Sequence, residues 1–279
     1  MCNRWGINLW NWVNELGPEC AGLPQKAYKM GFTAVELPMT VPEIPKKLKD
    51  EIHSLDMEVS LCATLGAGRD LSSFDETIRR NTMDYMIKCL KSAEAVKASV
   101  FAGPLYTGGG KKHWLSEADK KREWELAVTG IRNVSAIAKE CGVQLALEPL
   151  NRYRTSVVNT AAQALKLVSD IGEANVGVHF DTYQAGIEED SITDALEAVL
   201  KEEKLVHFHA SSNNRGIPGQ GFFPWDDLWS LLESYDYKRH ITMETFLPGG
   251  FDAGWIPPLK SADEIAESGI RYMRQHDWH

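Results

Sequence analysis

Four residues able to hold a divalent cation close four successive apolar runs. The run QLALE ends in Glu148, VGVHFD ends in Asp181, LVHFHA carries His209, and HITME ends in Glu244. They stand about 30 residues apart, the length of one strand-plus-helix unit. Short apolar runs of this kind read as buried parallel strands. In an α/β barrel, residues at the C-terminal ends of such strands emerge on one rim. Three carboxylates and one imidazole without a thiolate suit Mn2+, Co2+ or Mg2+ better than a structural zinc. Taken singly, each residue has another use. Asp181 before Thr182 can cap a helix, and a strand histidine can be a core residue. Taken together they are hard to obtain as packing, because three buried carboxylates repel one another without a cation. His207 lies two residues before His209 and therefore on the same strand face. It is the rival ligand, with the residue nearer the strand end favoured. His179 stands in the same relation to Asp181. Both His179 and His207 are read as a lower layer that packs or supports the ligands.

Such a set needs eight strands to carry it, and the chain offers eight candidates. They are Trp5–Leu9, Ala34–Leu37, Glu58–Ala63, Ser99–Ala102, Gln144–Glu148, Val176–Asp181, Leu205–Ala210 and His240–Glu244. Apolar residues at three- and four-residue spacing predict long helices over Phe74–Lys97 and Glu117–Cys141. Shorter helices fit Leu23–Met30, Thr160–Ile171, Ile192–Lys201, Trp225–Ser234 and Ser261–Gln275. Strand–helix alternation with eight strands predicts a (β/α)8 TIM barrel over residues 1–279, as a single domain. An open doubly wound sheet is the runner-up, but no GxGxxG follows the first strand. Gly/Pro-rich pieces at 102–110, 215–221 and 247–258 each follow a candidate strand, where a barrel keeps its functional loops.

Composition limits the partners. The chain has 279 residues and a formal net charge of −9. That balance argues against a nucleic-acid partner. Lys111, Lys112, Lys120, Lys121 and Arg122 are interrupted by acids and read as a solvated helix face. The five cysteines are odd in number and irregularly spaced, without CxxC, which speaks for reduced thiols and a cytoplasmic location. The first twelve residues do not have the pattern of a signal peptide, and no apolar run approaches a membrane span.

The segments EPLNRYR (148–154), FDTYQAGIEE (180–189), HFHASSNNRGIPGQG (207–221), PWDDL (224–228) and TMETF (242–246) resemble the D-tagatose, D-psicose (allulose) and L-ribulose 3-epimerase family. That family belongs to the xylose-isomerase-like barrels. LCATLGAGRDLSSFDETIRRNTMDYMIKCL and SVFAGPLY also resemble its third and fourth units, so the likeness runs from Gly6 to about Met273. The resemblance implies a homodimer or homotetramer with one divalent ion, Mn2+ first and Co2+ or Mg2+ next. The ligands would be Glu148, Asp181, His209 and Glu244, and Arg215 the substrate arginine. It also implies that Glu148 and Glu244 are the two catalytic groups, one removing a proton and the other supplying it. Two positions depart from the family, which usually has glutamate at 154 and histidine at 184. Here they are Arg154 and Gln184.

The implied chemistry is proton abstraction next to a ketone, through a cis-enediolate, on a small keto-sugar. A cation stabilises the developing oxyanion, and Arg215 adds a fixed positive charge. Arg154 suits a carboxylate or other anionic substituent. Trp10, Trp12, Trp114, Phe246 and Trp255 are candidates to shape a sugar pocket. Gly66, Gly68 and Gly103 would let loops approach the ligand, and Asn151 and Arg152 would orient the first ligand. The same scaffold could instead run elimination, as in an inosose dehydratase or a lyase cleaving 3-keto-glycosides or C-glycosides, which could require a heteromeric partner. An aldose–ketose isomerase is a third reading. A DNA-repair endonuclease of related fold would need a histidine-rich multi-metal site and a basic groove. The pair Trp225 and Trp229 fits either a dimer surface or the core.

Overall fold

The computed structural model describes residues 4–66, 68–249 and 259–278. Eight strands run parallel and close into a barrel in chain order, with the last paired to the first. They are β1 (Arg4–Asn8), β2 (Ala34–Pro38), β3 (Glu58–Cys62), β4 (Val100–Gly103), β5 (Gln144–Leu147), β6 (Val176–Asp181), β7 (Leu205–Ala210) and β8 (His240–Met243). Around them lie α1 (Leu23–Met30), α2 (Lys46–Leu55), α3 (Glu76–Ala95), α4 (Glu117–Glu140), α5 (Ala161–Ile171), α6 (Thr182–Glu188), α7 (Ile192–Lys201), α8 (Trp225–Ser234) and α9 (Ala262–Met273). Every strand boundary falls within one residue of its expected place. The (β/α)8 barrel is therefore the fold, as the alternation predicted. Two helices, α2 and α6, were not expected.

Local chemistry sets the helix starts. Asp75 accepts a hydrogen bond from the Thr77 N–H at the head of α3, and Ser116 accepts one from Asp119 at the head of α4. Thr160 with Gln163, and Ser261 with Glu264, form reciprocal capping boxes for α5 and α9. On α3 the buried face is Thr82, Tyr85, Met86, Cys89, Leu90 and Ala93. Each large apolar side chain buried in this way contributes about 1.5–3 kcal/mol. Trp225 and Trp229 are buried in this outer core, and Trp5 meets Trp229 edge-on at 5.9 Å. They are core residues and not a dimer surface.

The barrel interior is unusually polar on one side. Cross-strand partners share a face, and the register pairs Asn8 with Glu36, Glu36 with Ser60, His179 with His207, Asp181 with His209, and His209 with Thr242. These side chains therefore line the inside together. Val178, Phe180 and Phe208 join the outer apolar core. A separate small cluster of Val100, Ala102, Ala146 and Val206 forms where β4, β5 and β7 meet. A register shift between Val178 and His179 leaves Val206 outside the pairing.

Gly103 closes β4 in a left-handed conformation, φ 122°. An added Cβ would lie 2.2 Å from the Ala63 carbonyl oxygen. The Gly103 carbonyl also holds the Glu148 N–H at 3.0 Å. Gly103→Ala is expected to destabilise the fold by about 3 kcal/mol or more, from strain and overpacking combined. Urea unfolding reads this directly, and an unchanged midpoint would contradict it.

Candidate active site

The expected rim residues come together where the strands end. Asp181 is the last residue of β6, and His209 lies one residue before the end of β7. Glu148 and Glu244 are the first residues past β5 and β8. Their N–H groups are held by Gly103 O (3.0 Å) and Ala210 O (3.2 Å) of the neighbouring strands. All four are buried.

Arg215 organises their charge. Its Nη1 lies 2.6 Å from Asp181 Oδ2 and 2.8 Å from Glu244 Oε2. Its guanidinium also lies over the rings of Tyr183 (4.2 Å) and Phe246 (5.3 Å). His209 Nδ1 lies 3.3 Å from Glu244 Oε1 but makes no aligned hydrogen bond. Asp181 accepts a hydrogen bond from the Tyr183 N–H and so caps α6. Burial, with Asp181 and Glu244 adding repulsion, pushes the Glu148 carboxyl well above the usual range. His209 and Arg215 pull the other way and do not prevail. Burial would favour neutral His209, but Glu36 and Glu244 outweigh it and raise its pKa well above normal.

Glu36 is the residue that sequence reasoning missed. It is wholly buried in β2. Its Oε1 lies 2.7 Å from His209 Nε2, and its Oε2 lies 2.7 Å from His207 Nε2. Burial opposes its charge, but His209 and His207 hold its pKa well below the usual range. The signal was present, as one acid inside the apolar run AVELP, but its histidine partners are over 170 residues away in the chain. His179 and His207 are fully buried behind the rim, and burial first lowers the pKa of each. Both imidazoles contact Glu36 through Nε2, and His209 Nδ1 in addition faces Glu244 at the rim. Cation-sized groupings among the described residues are Glu36, Cys62, His209 and Glu244, and also His179, His207 and His209. Glu148 and Asp181 border the first of these without belonging to it, and the Arg215 guanidinium bridges Asp181 to Glu244.

A narrow cleft opens above the rim. Glu148, Glu244, Arg215, Arg154, Gln184, Phe246, Trp10 and Cys62 line it. Trp10 stacks on Phe246 at 5.3 Å. The Gln184 Oε1 accepts from the Asn151 N–H (2.9 Å) and from Asn151 Nδ2 (2.6 Å), so its carbonyl end is committed to the loop after β5. Asn151 thus orients Gln184 rather than Glu148.

Other expectations are corrected. Trp114 is 92% exposed, beside Lys120, and is not brought into the cleft. Trp12 points to Asp263, its Nε1 donating at 2.6 Å. Trp255 lies outside the described residues. Arg152 is exposed and pairs with Glu188. Lys111 is not on a solvated helix face but bridges Asp70 (2.8 Å) and Glu123 (2.7 Å). Gly66 and Gly68 approach nothing closely, and Gly103 serves the strand end.

Comparison with known proteins agrees with this fold. The family model described as "Xylose isomerase-like TIM barrel" matches residues 24–276. A D-psicose 3-epimerase of Ruminiclostridium cellulolyticum is 30% identical over 273 residues, 93% of this chain and 91% of that protein. A crystal structure of D-psicose 3-epimerase with D-tagatose, from Clostridium cellulolyticum H10, superposes with a TM-score of 0.87. It is 28% identical and covers 98% of each chain. The D-allulose 3-epimerase of Methylomonas sp. in complex with D-allulose has a TM-score of 0.91 at 22% identity, covering 99% of this chain and 97% of that one, which speaks to the fold.

Proposed function

Since the chain belongs to the xylose isomerase-like TIM barrel family, we propose that it is a divalent-metal-dependent ketose 3-epimerase. The observation that carries this reading is the placement of Glu148 and Glu244 on one narrow cleft, from β5 and β8. Three strand positions around the mouth separate them, so each can serve its own face of a reacting carbon. The donor set fits a cation. His209 Nδ1 has no aligned partner, and the Glu148 carboxyl is pushed toward neutrality beside two other acids. Glu148, Asp181, His209 and Glu244 would hold the ion, with Mn2+ preferred for a mixed carboxylate–imidazole set and Co2+ or Mg2+ as alternatives. When bound, the ion supplies Lewis-acid stabilisation of the enediolate oxygens. Glu148 and Glu244 then exchange the C3 proton, one removing it and the other returning it to the opposite face. Arg215 holds positive charge beside the developing oxyanion. Phe246 and Trp10 offer an apolar wall to the sugar's C–H face and help exclude water.

Incubating the Mn2+-loaded protein in D2O with ketoses tests this. Deuterium at C3 together with an epimer of equal mass is the expected result. An enone with loss of a leaving group would move the chain to the lyase reading.

Arg154 supports a finer reading of the substrate, a keto-sugar carrying an anionic group such as a carboxylate. Arg154 lines the cleft, and a guanidinium is the side chain that pairs with a carboxylate bidentately. Arg154→Ala should lower kcat/KM for a keto-sugar acid about 10- to 100-fold, mainly through KM, and leave a neutral ketose little changed. Equal losses on both substrates would count against this assignment. We further assign a homodimer or homotetramer, supported by the exposed Trp114, Tyr153 and Phe222 on loops following β4, β5 and β7. A cytoplasmic location is supported by the unpaired thiols of Cys20, Cys62, Cys89 and Cys141. No described helix is long and apolar enough to cross a membrane.

A further inference from the structure

Glu36 does not line the cleft, yet its carboxylate is the most heavily tied acid near the rim. Oε1 accepts from Asn8 Nδ2 at 2.7 Å and lies 2.7 Å from His209 Nε2. Oε2 accepts from Ser60 Oγ at 2.9 Å and lies 2.7 Å from His207 Nε2. These neighbours come from β1, β3 and β7, so the carboxylate is held from three strands.

An ionised carboxylate only accepts hydrogen bonds. The nitrogen of His209 that faces it must therefore carry a proton. With Nε2 protonated, the lone pair available to a cation is on Nδ1, which faces Glu244 at the rim. A carboxylate behind an imidazole fixes its tautomer and ring plane and makes the ligating nitrogen more basic.

We propose that Glu36 is a positioning residue for the metal centre, selecting Nδ1 of His209 as the ligating atom and holding its ring toward the rim. His207 shares the same carboxylate and takes its second oxygen, so it braces Glu36 and stays out of the ligand set. The inference rests on the reading of His209 as a metal ligand.

Calorimetric titration of the metal-free protein with Mn2+ tests it, on wild type, Glu36→Gln, His209→Ala and Ser60→Ala. Glu36→Gln keeps the volume of the side chain and removes the charge. It should weaken Mn2+ binding by about 10- to 100-fold, with a smaller metal-induced rise in Tm. Ser60→Ala removes a bond to the same carboxylate without touching His209, and its affinity should stay within about threefold of wild type. Wild-type affinity in Glu36→Gln, with binding lost in His209→Ala, overturns the inference alone. Wild-type affinity in His209→Ala overturns the ligand reading itself, and the inference with it. Should Glu36→Gln not fold, 15N-resolved NMR of the Mg2+-loaded wild type decides between the two nitrogens. A proton on His209 Nε2 with Nδ1 ligated is expected, and a proton on Nδ1 with Nε2 ligated overturns the proposal.

Discussion

Glu148→Gln should abolish epimerisation, lowering kcat by about 10³-fold within the 10²–10⁴ range that a positioned acid–base group supplies. Glu244→Gln should do the same. The two variants should differ in what survives. If each glutamate serves one face, removing one leaves the other able to take a proton from a single epimer and return it to the same face. Each variant at saturating Mn2+ should then wash deuterium into C3 of one ketose epimer without converting it, and the two variants should act on opposite epimers. Deuterium NMR on the separated epimers checks this. Normal interconversion by one variant would remove the substituted residue from the chemistry, and with it the two-base reading. Unfolding would not account for the loss in Glu148→Gln. Burial and the neighbouring Asp181 and Glu244 already push the Glu148 carboxyl toward its neutral form in the metal-free protein. A neutral amide of the same shape should therefore cost no more than about 1 kcal/mol of fold stability.

The second large effect concerns Arg215. Its Nη1 lies within 2.8 Å of carboxylate oxygens from both Asp181 and Glu244, and all three residues are buried. Breaking a buried charge pair from one side costs about 3–5 kcal/mol, because the partner is left uncompensated. Arg215→Ala strands two carboxylates at once. In EDTA it should lose at least about 3 kcal/mol in urea unfolding relative to wild type. Saturating Mn2+ should recover much of that, because the ion supplies the missing positive charge to the same acids and stabilises by mass action, about 2.7 kcal/mol at a hundredfold excess over Kd. The metal should therefore stabilise Arg215→Ala more than wild type. Equal metal-induced stabilisation of the two proteins would show that cation and guanidinium do not share these carboxylates. Arg215→Lys should not substitute, because an ammonium cannot reproduce the guanidinium's stacking over Tyr183 and Phe246.

Much of this site was legible before the fold was seen, for a local reason. In a parallel barrel a strand's period and its C-terminal end together define where a side chain emerges. Glu148, Asp181, His209 and Glu244 could therefore be placed on one rim from their positions in four apolar runs, and the strand boundaries were accurate to one residue. What failed was whatever depends on contacts distant in sequence or on weak local pattern. Helix α2, KKLKDEIHSL, buries only Leu48 and Ile52, too few to show a stripe. Helix α6 is seven residues long and begins directly after the last residue of β6, so the strand-end motif masked it. Lys111 has the composition of a solvated residue, yet closure of the barrel sets it between Asp70 on the loop after β3 and Glu123 on α4. Trp114 has the chemistry of a sugar platform, but the loop after β4 leaves it outside.

The role of each rim residue was also decided in three dimensions. Sequence alone placed four candidate cation ligands at or beside the ends of four consecutive strands. Tertiary structure decided that Arg215 bridges two of them, that Gln184 answers to Asn151, and that His209 rather than His207 faces the mouth. Behind His209 stands Glu36, which lies 173 residues from it in the chain. No periodicity or motif spans that separation. Only closing β2 and β7 around a shared interior brings the carboxylate and the imidazole within hydrogen-bond reach.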